Sequence, residues 1–88
     1  MGINAHAKVG DMGVVVAGNT MLYSENPEKI GINAAYDRGG HIIEAGTHCI
    51  ILAKETAGSA KMGHVFMVLA NNHIGWVWNY DLMVWYDL

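Results

Sequence analysis

The chain has a single cysteine in 88 residues, so no disulfide closes within it. Cys49 sits in the apolar run Cys49-Ile50-Ile51-Leu52, where a buried, inert thiol is the expectation rather than a nucleophile. That usage fits a reducing compartment or a particle assembled in one. Charge is sparse: 15% of residues are charged and the formal net charge is −3. The cations Lys8, Lys29, Arg38, Lys54 and Lys61 are never adjacent, so no basic stripe is available to neutralise a phosphate backbone. Long apolar runs are missing too, and none approaches the ~20 residues of a membrane span. The start MGINAHAKVGD has neither the basic lead nor the apolar block of a secretory signal, and His6 stands where a myristoylation signal needs Ser or Thr. The expectation is a soluble chain, in a virion or the cytoplasm, with no nucleic-acid and no membrane partner.

Chemistry-bearing constellations are equally scarce. His6, His41, His48, His64 and His73 show none of the i, i+2 or i, i+4 spacings that build a local metal site. His48 and Cys49 point to opposite faces of a regular strand, so they cannot grip one ion together. Cys49 and Thr47 are the nucleophile candidates with a nearby histidine, and both fall inside a strand that reads as buried. The reading is therefore non-enzymatic, with no metal and no cofactor. His48 and His64 are expected to face each other across neighbouring strands as a pH-sensitive contact.

What is plentiful is apolar mass: 52% of the chain is hydrophobic. A domain of this length buries only roughly 60–65% of its unfolded surface, so a small core must be shared among too many large side chains. A protein partner, or a second copy of the chain, is the physical outlet.

In chain order, residues 1–11 have no clear periodicity and read as an N-terminal arm, with one domain over 12–88. Met12 to Ala17 is a short β-branched run ending at Gly18-Asn19. Residues 18–41 read as one long excursion in which Met21-Leu22-Tyr23 is at most an irregular strand. A helix started by Pro27 would be cut short at Gly31. Thr47 to Lys54 is the best isolated strand, with His48, Ile50, Leu52 and Lys54 on one side and Cys49, Ile51 and Ala53 on the other. His64 to Ala70 and Ile74 to Trp78 form a hairpin about Asn71-Asn72, because asparagine tolerates the positive φ that a two-residue hairpin turn requires. Asn79 to Leu82 reads as one helical turn, and Met83 to Tyr86 as a last strand.

These elements are all-β: five short strands, a long early loop and a one-turn helix before the final strand. Gly75-Trp76-Val77 followed by Leu82 resembles the G-W-V-x-x-x-x-L ending of SH3-like barrels, bacterial SH3 domains in particular. Ile42 to Thr47 is similar to that family's lead into its second long strand, and Met21 to Pro27 stands where the family carries L-N-V-R-x-G-P. The likeness spans residues 12–87. It implies a five-stranded, partly open SH3-like barrel with a 3₁₀ turn before the last strand. The departures bear on ligands. Arg and Gly of the L-N-V-R-x-G-P pattern are absent, Asp81 replaces an aromatic before Leu82, and Trp78 replaces the proline that helps build a polyproline groove. The fold carries over more safely than any ligand.

The sharpest functional signal is aromatic. Trp76, Trp78, Tyr80, Trp85 and Tyr86 crowd the C-terminal stretch, and with Val77, Leu82 and Val84 turned inward several rings must lie at the surface. Together with Tyr23 they form the expected partner-binding set, since exposed Trp and Tyr bury much area with few rotors to freeze. The expected role is a protein-protein interaction or structural module, a homo-oligomer or assembly subunit such as a phage virion component. The alternative is a peptide- or cell-wall-binding targeting module.

Overall fold

In the computed structural model, which describes residues 7–56 and 64–85, β-branched and aromatic runs form strands wherever turn residues bracket them. The strands are β1 (Met12–Val15), β2 (Thr20–Tyr23), β3 (Gly40–Ile43), β4 (His48–Thr56), β5 (His64–Ala70), β6 (His73–Trp78) and β7 (Leu82–Trp85). They hydrogen-bond as one antiparallel open sheet in the order β3-β2-β6-β5-β4-β1-β7. The expected five-stranded, partly open barrel is corrected accordingly: the described residues hold seven strands in an open sheet. The extra pair comes from the excursion, where β2 and β3 pair along four residues each although no tight turn joins them.

Two short helices, α1 (Pro27–Ile30) and α2 (Ile32–Arg38), make that connection, so the excursion is structured rather than a loop. Asn26 caps α1: its Oδ1 accepts from the Glu28 amide at 2.9 Å, and Pro27 supplies a preset φ in the first turn. The Asn26 side-chain amide also donates to Glu55 Oε2 at 2.7 Å, which ties the helix to β4. Gly31 ends α1 at φ +89° and lets α2 start at once in a new direction. Among the described residues no helix is long and apolar enough to cross a membrane.

The β5–β6 hairpin forms as expected, with Asn71 and Asn72 at φ +51° and +65°. A 3₁₀ turn, Asn79–Asp81, then leads into β7. β4 runs to Thr56 with a bulge between Ile51 and Ala53. Its register separates two histidines expected to meet: Thr56 lies opposite His64, while His48 lies at the other end of the strand beside Val14 of β1. Residues 7–11 join β4 as well, through Gly10 N–H to Ile51 C=O and Ile51 N–H to Asp11 C=O, both at 2.9 Å.

Strand alternation divides the side chains between two faces. The inner face holds one cluster drawn from all seven strands, including Val15, Leu22, Ile43, Ile51, Phe66, Val77 and Leu82. A flat sheet of seven strands would hold its edges about 29 Å apart, so a single cluster touching every strand requires the sheet to curl around it. The outer face holds a second, smaller cluster under the helices: Tyr23, Ala35, Val65 and Trp78, with Met21, Ile30 and Trp76 against it.

Candidate functional site

The outer-face cluster is where the aromatic residues converge. β2 and β6 are neighbours through the pair Tyr23 and Trp76, and β5 places Val65 opposite Trp78. Because Trp76 and Trp78 are two residues apart on one strand, both rings stand on the helix-covered side. Trp78 is 6% exposed, as is Tyr23. The Trp78 indole N–H donates to the Tyr23 hydroxyl oxygen, which gives the buried indole its partner.

Two further rings lean on that base and reach solvent. Tyr80, from the 3₁₀ turn, stacks on Trp78 with ring centroids 6.0 Å apart and planes 7° from parallel. Tyr36, from α2, meets Tyr23 edge-on at 6.0 Å and 72°. Tyr36 is 60% exposed and Tyr80 53%. The arrangement is a buried Tyr–Trp floor with one exposed phenol on each side.

Electrostatics around the site favour neutral groups. Burial, followed by the neighbouring Tyr36, pushes the Tyr23 phenol up despite the Trp78 hydrogen bond. Burial, then nearby Asp81, does the same to Tyr80. Partial burial also raises the Asp81 carboxyl. At neutral pH Tyr23 and Tyr80 therefore keep their protons and offer both donor and acceptor capacity.

Of the residues expected to bind a partner, the structure brings Tyr23, Trp76, Trp78 and Tyr80 together. Trp85 belongs to β7, where its backbone lies opposite Met12, with three strands between it and β6 in the sheet order. Tyr86 lies outside the described residues. Tyr36 was missed because 18–41 reads as a loop. The signal available was the stretch Ile32 to Arg38, free of Gly and Pro and bounded by Gly31 and Gly39.

The other chemistry-bearing groups lie apart from this cluster. Cys49 packs in the inner core, and burial pushes its thiol up to about 11. His41 and His73 stack on each other at 3.6 Å and 15°. Parallel rings aim their in-plane nitrogens alongside one another, which does not converge two lone pairs on one ion. Among the described residues, no three of His, Cys, Asp and Glu are grouped to hold a metal. Comparison with protein-family models, curated proteins and solved structures finds no match to this chain.

Proposed function

We propose that the chain is a non-enzymatic protein-interaction module on an SH3-like plan, a subunit or accessory of a larger assembly such as a phage virion. Its contact surface is the cluster of Tyr23, Tyr36, Trp76, Trp78 and Tyr80. The plan is supported by connectivity: β1 pairs with both β4 and β7, β4-β5-β6 form a meander, and a 3₁₀ turn precedes the last strand. β2, β3 and the two helices then elaborate the long early loop of that plan.

The observation that carries the binding role is the pairing of exposed Tyr36 and Tyr80 with a buried Tyr23–Trp78 floor. Both exposed rings are held by ring contacts, so little rotamer entropy is lost when a partner covers them. A second reading, a peptide- or cell-wall-binding module, is favoured by two exposed phenols about one buried aromatic floor, a kind of surface that receives extended segments.

The test is selection from a displayed random-peptide library on immobilised wild-type chain and on a Tyr36→Ala/Tyr80→Ala variant. Wild type is expected to enrich ligands that the variant does not retain, with the variant's circular dichroism unchanged. Equal enrichment by both, or none by either, removes the aromatic surface as a binding site. Enrichment by purified peptidoglycan fragments instead of peptides selects the cell-wall reading.

A further inference from the structure

The helices cover only one end of the outer face. Beyond them the register lines up one side chain from each of four adjacent strands: Met12 opposite Ile50, Ile50 opposite Leu69, and Leu69 opposite Ile74. Directly opposed residues in antiparallel strands point the same way, with Cβ atoms about 5 Å apart, so these four form a continuous apolar row across β1, β4, β5 and β6. All four are solvent-exposed, from 38% at Leu69 to 60% at Ile74. Leu52 and Met83 flank the row at 37% and 57% exposure.

We infer that this bare face of the sheet binds the same face of a second copy of the chain across a two-fold axis, with Ile74 of each copy seated beside Met12 of the other. The inference deepens the assembly reading above by naming a partner and a surface, and it rests on that reading.

Three features on the row itself argue for a second copy. Size comes first. The exposed fractions of the six residues amount to roughly 550 Å² of surface, in the upper part of the range a monomer ordinarily leaves bare. Self-pairing would bury roughly 1,100 Å² in total, near the ~1,200 Å² at which specific interfaces begin, so the expected dimer is a weak one.

Charge is the second. Along the row no position is occupied by Asp, Glu, Lys or Arg. A two-fold contact sets each patch against itself, so any charge near its centre would meet its own image. A strongly charged partner, by contrast, finds no opposite charge on the row to pair with.

Shape is the third. A shallow hollow of about 350 Å³ runs along the row from Met12 to Leu69, lined by Met12, His48, Cys49, Ile50, Leu69 and the turn residues Asn71 and Asn72. Reversing a second row over the first carries its most exposed residue, Ile74, from the opposite end into that hollow. The same operation sets Ile50 of each copy against Leu69 of the other near the axis. One operation thus pairs the two rows about the axis and closes the assembly at two.

The test uses the full chain in sedimentation velocity from micromolar to submillimolar concentration. Wild type is expected to pass from monomer to dimer, and Ile74→Lys and Met12→Lys are each expected to weaken self-association by roughly tenfold or more. Both positions are exposed, so circular dichroism of the variants should match wild type. A Met12→Cys/Ile74→Cys variant adds a covalent readout. Within one copy the two positions are three strand spacings, about 14 Å, apart and cannot link. Mild oxidation should therefore yield disulfide-bonded dimers, and the same dimers should form with Cys49→Ala added, which excludes a link through the cysteine that lines the hollow.

A wild type that stays monomeric throughout the range, a dimer indifferent to Ile74→Lys, or an open-ended polymer each overturns the inference. The Tyr36→Ala/Tyr80→Ala variant separates this outcome from the proposed function. It should dimerise as wild type does, and a chain that enriches peptide ligands while remaining monomeric loses the sheet-face contact but keeps the aromatic one.

Discussion

The two ends of the outer sheet face are built from the same kind of residue and end in opposite states. On β6, Trp76 and Trp78 lie at the covered end and Ile74 at the bare one, each two residues from the next. Trp78 is 6% exposed under the helical excursion and Ile74 is 60% exposed. The difference lies in what passes overhead rather than in the strand. α2 delivers Ala35, fully buried, onto Tyr23, Val65 and Trp78, and no described helix reaches Met12, Ile50, Leu69 and Ile74. The same apolar alternation therefore becomes core at one end and unsatisfied surface at the other.

The strongest way to break this comparison is to truncate one residue at each end. Trp78→Ala should cost ~3–5 kcal/mol in urea unfolding, because it empties the centre of the second cluster and leaves the Tyr23 hydroxyl without its donor. Ile74→Ala, measured on dilute monomer, should stay within about 0.5 kcal/mol of wild type. Comparable losses at both positions would mean the two ends are not differently covered.

A smaller effect is expected at the boundary. Gly75 lies where β2 crosses β6, and an added Cβ would sit 2.7 Å from both Leu22 Cγ and the Tyr23 carbonyl oxygen. The backbone oxygen cannot swing aside as a side chain can. Gly75→Ala should destabilise the monomer by ~1–3 kcal/mol and raise the exchange rates of β2 amides more than those of β4. If β4 loosens equally, the excursion is not a separable cover.

The smallest expected effect concerns pH at the covered end. Partial burial raises the Asp81 carboxyl in the folded chain, so folding disfavours its charged form. The penalty is absent below the unfolded carboxyl range and grows as pH rises through the folded value. Asp81→Asn should therefore be slightly more stable than wild type at pH 7, with the gap closing toward pH 3. A gap that widens in acid would show that the carboxylate is stabilised rather than desolvated.

Much of the sheet was legible residue by residue. Asn71-Asn72 marks the hairpin because few other residues accept two consecutive positive φ angles, and β5 starts and stops at the positions expected. Cys49 and Ile51 alternate inward and His48 and Ile50 outward, as period two requires. The excursion was not legible. Four-residue strands and a four-residue helix are too short for any periodicity to emerge, and their stability comes from partners distant in sequence, such as Glu55 for Asn26 and Trp76 for Tyr23. For the same reason Tyr36 went unseen while Tyr80, beside the tryptophans in sequence, did not. The proposed meeting of His48 and His64 failed on register, because an antiparallel hairpin places the first residue of one strand against the last of the other.

Composition and local pattern by themselves determined the β character, the hairpin, the turn before the last strand and the surplus of apolar side chains. Those properties depend on near neighbours, on φ preferences and on the simple ratio of greasy mass to available volume. Only the tertiary structure decided which of the two apolar sheet faces closes into a core, and which part of the other is roofed by helices. That choice rests on strand order and on where the excursion over residues 18–41 lands, and both are set by contacts between segments far apart in the chain.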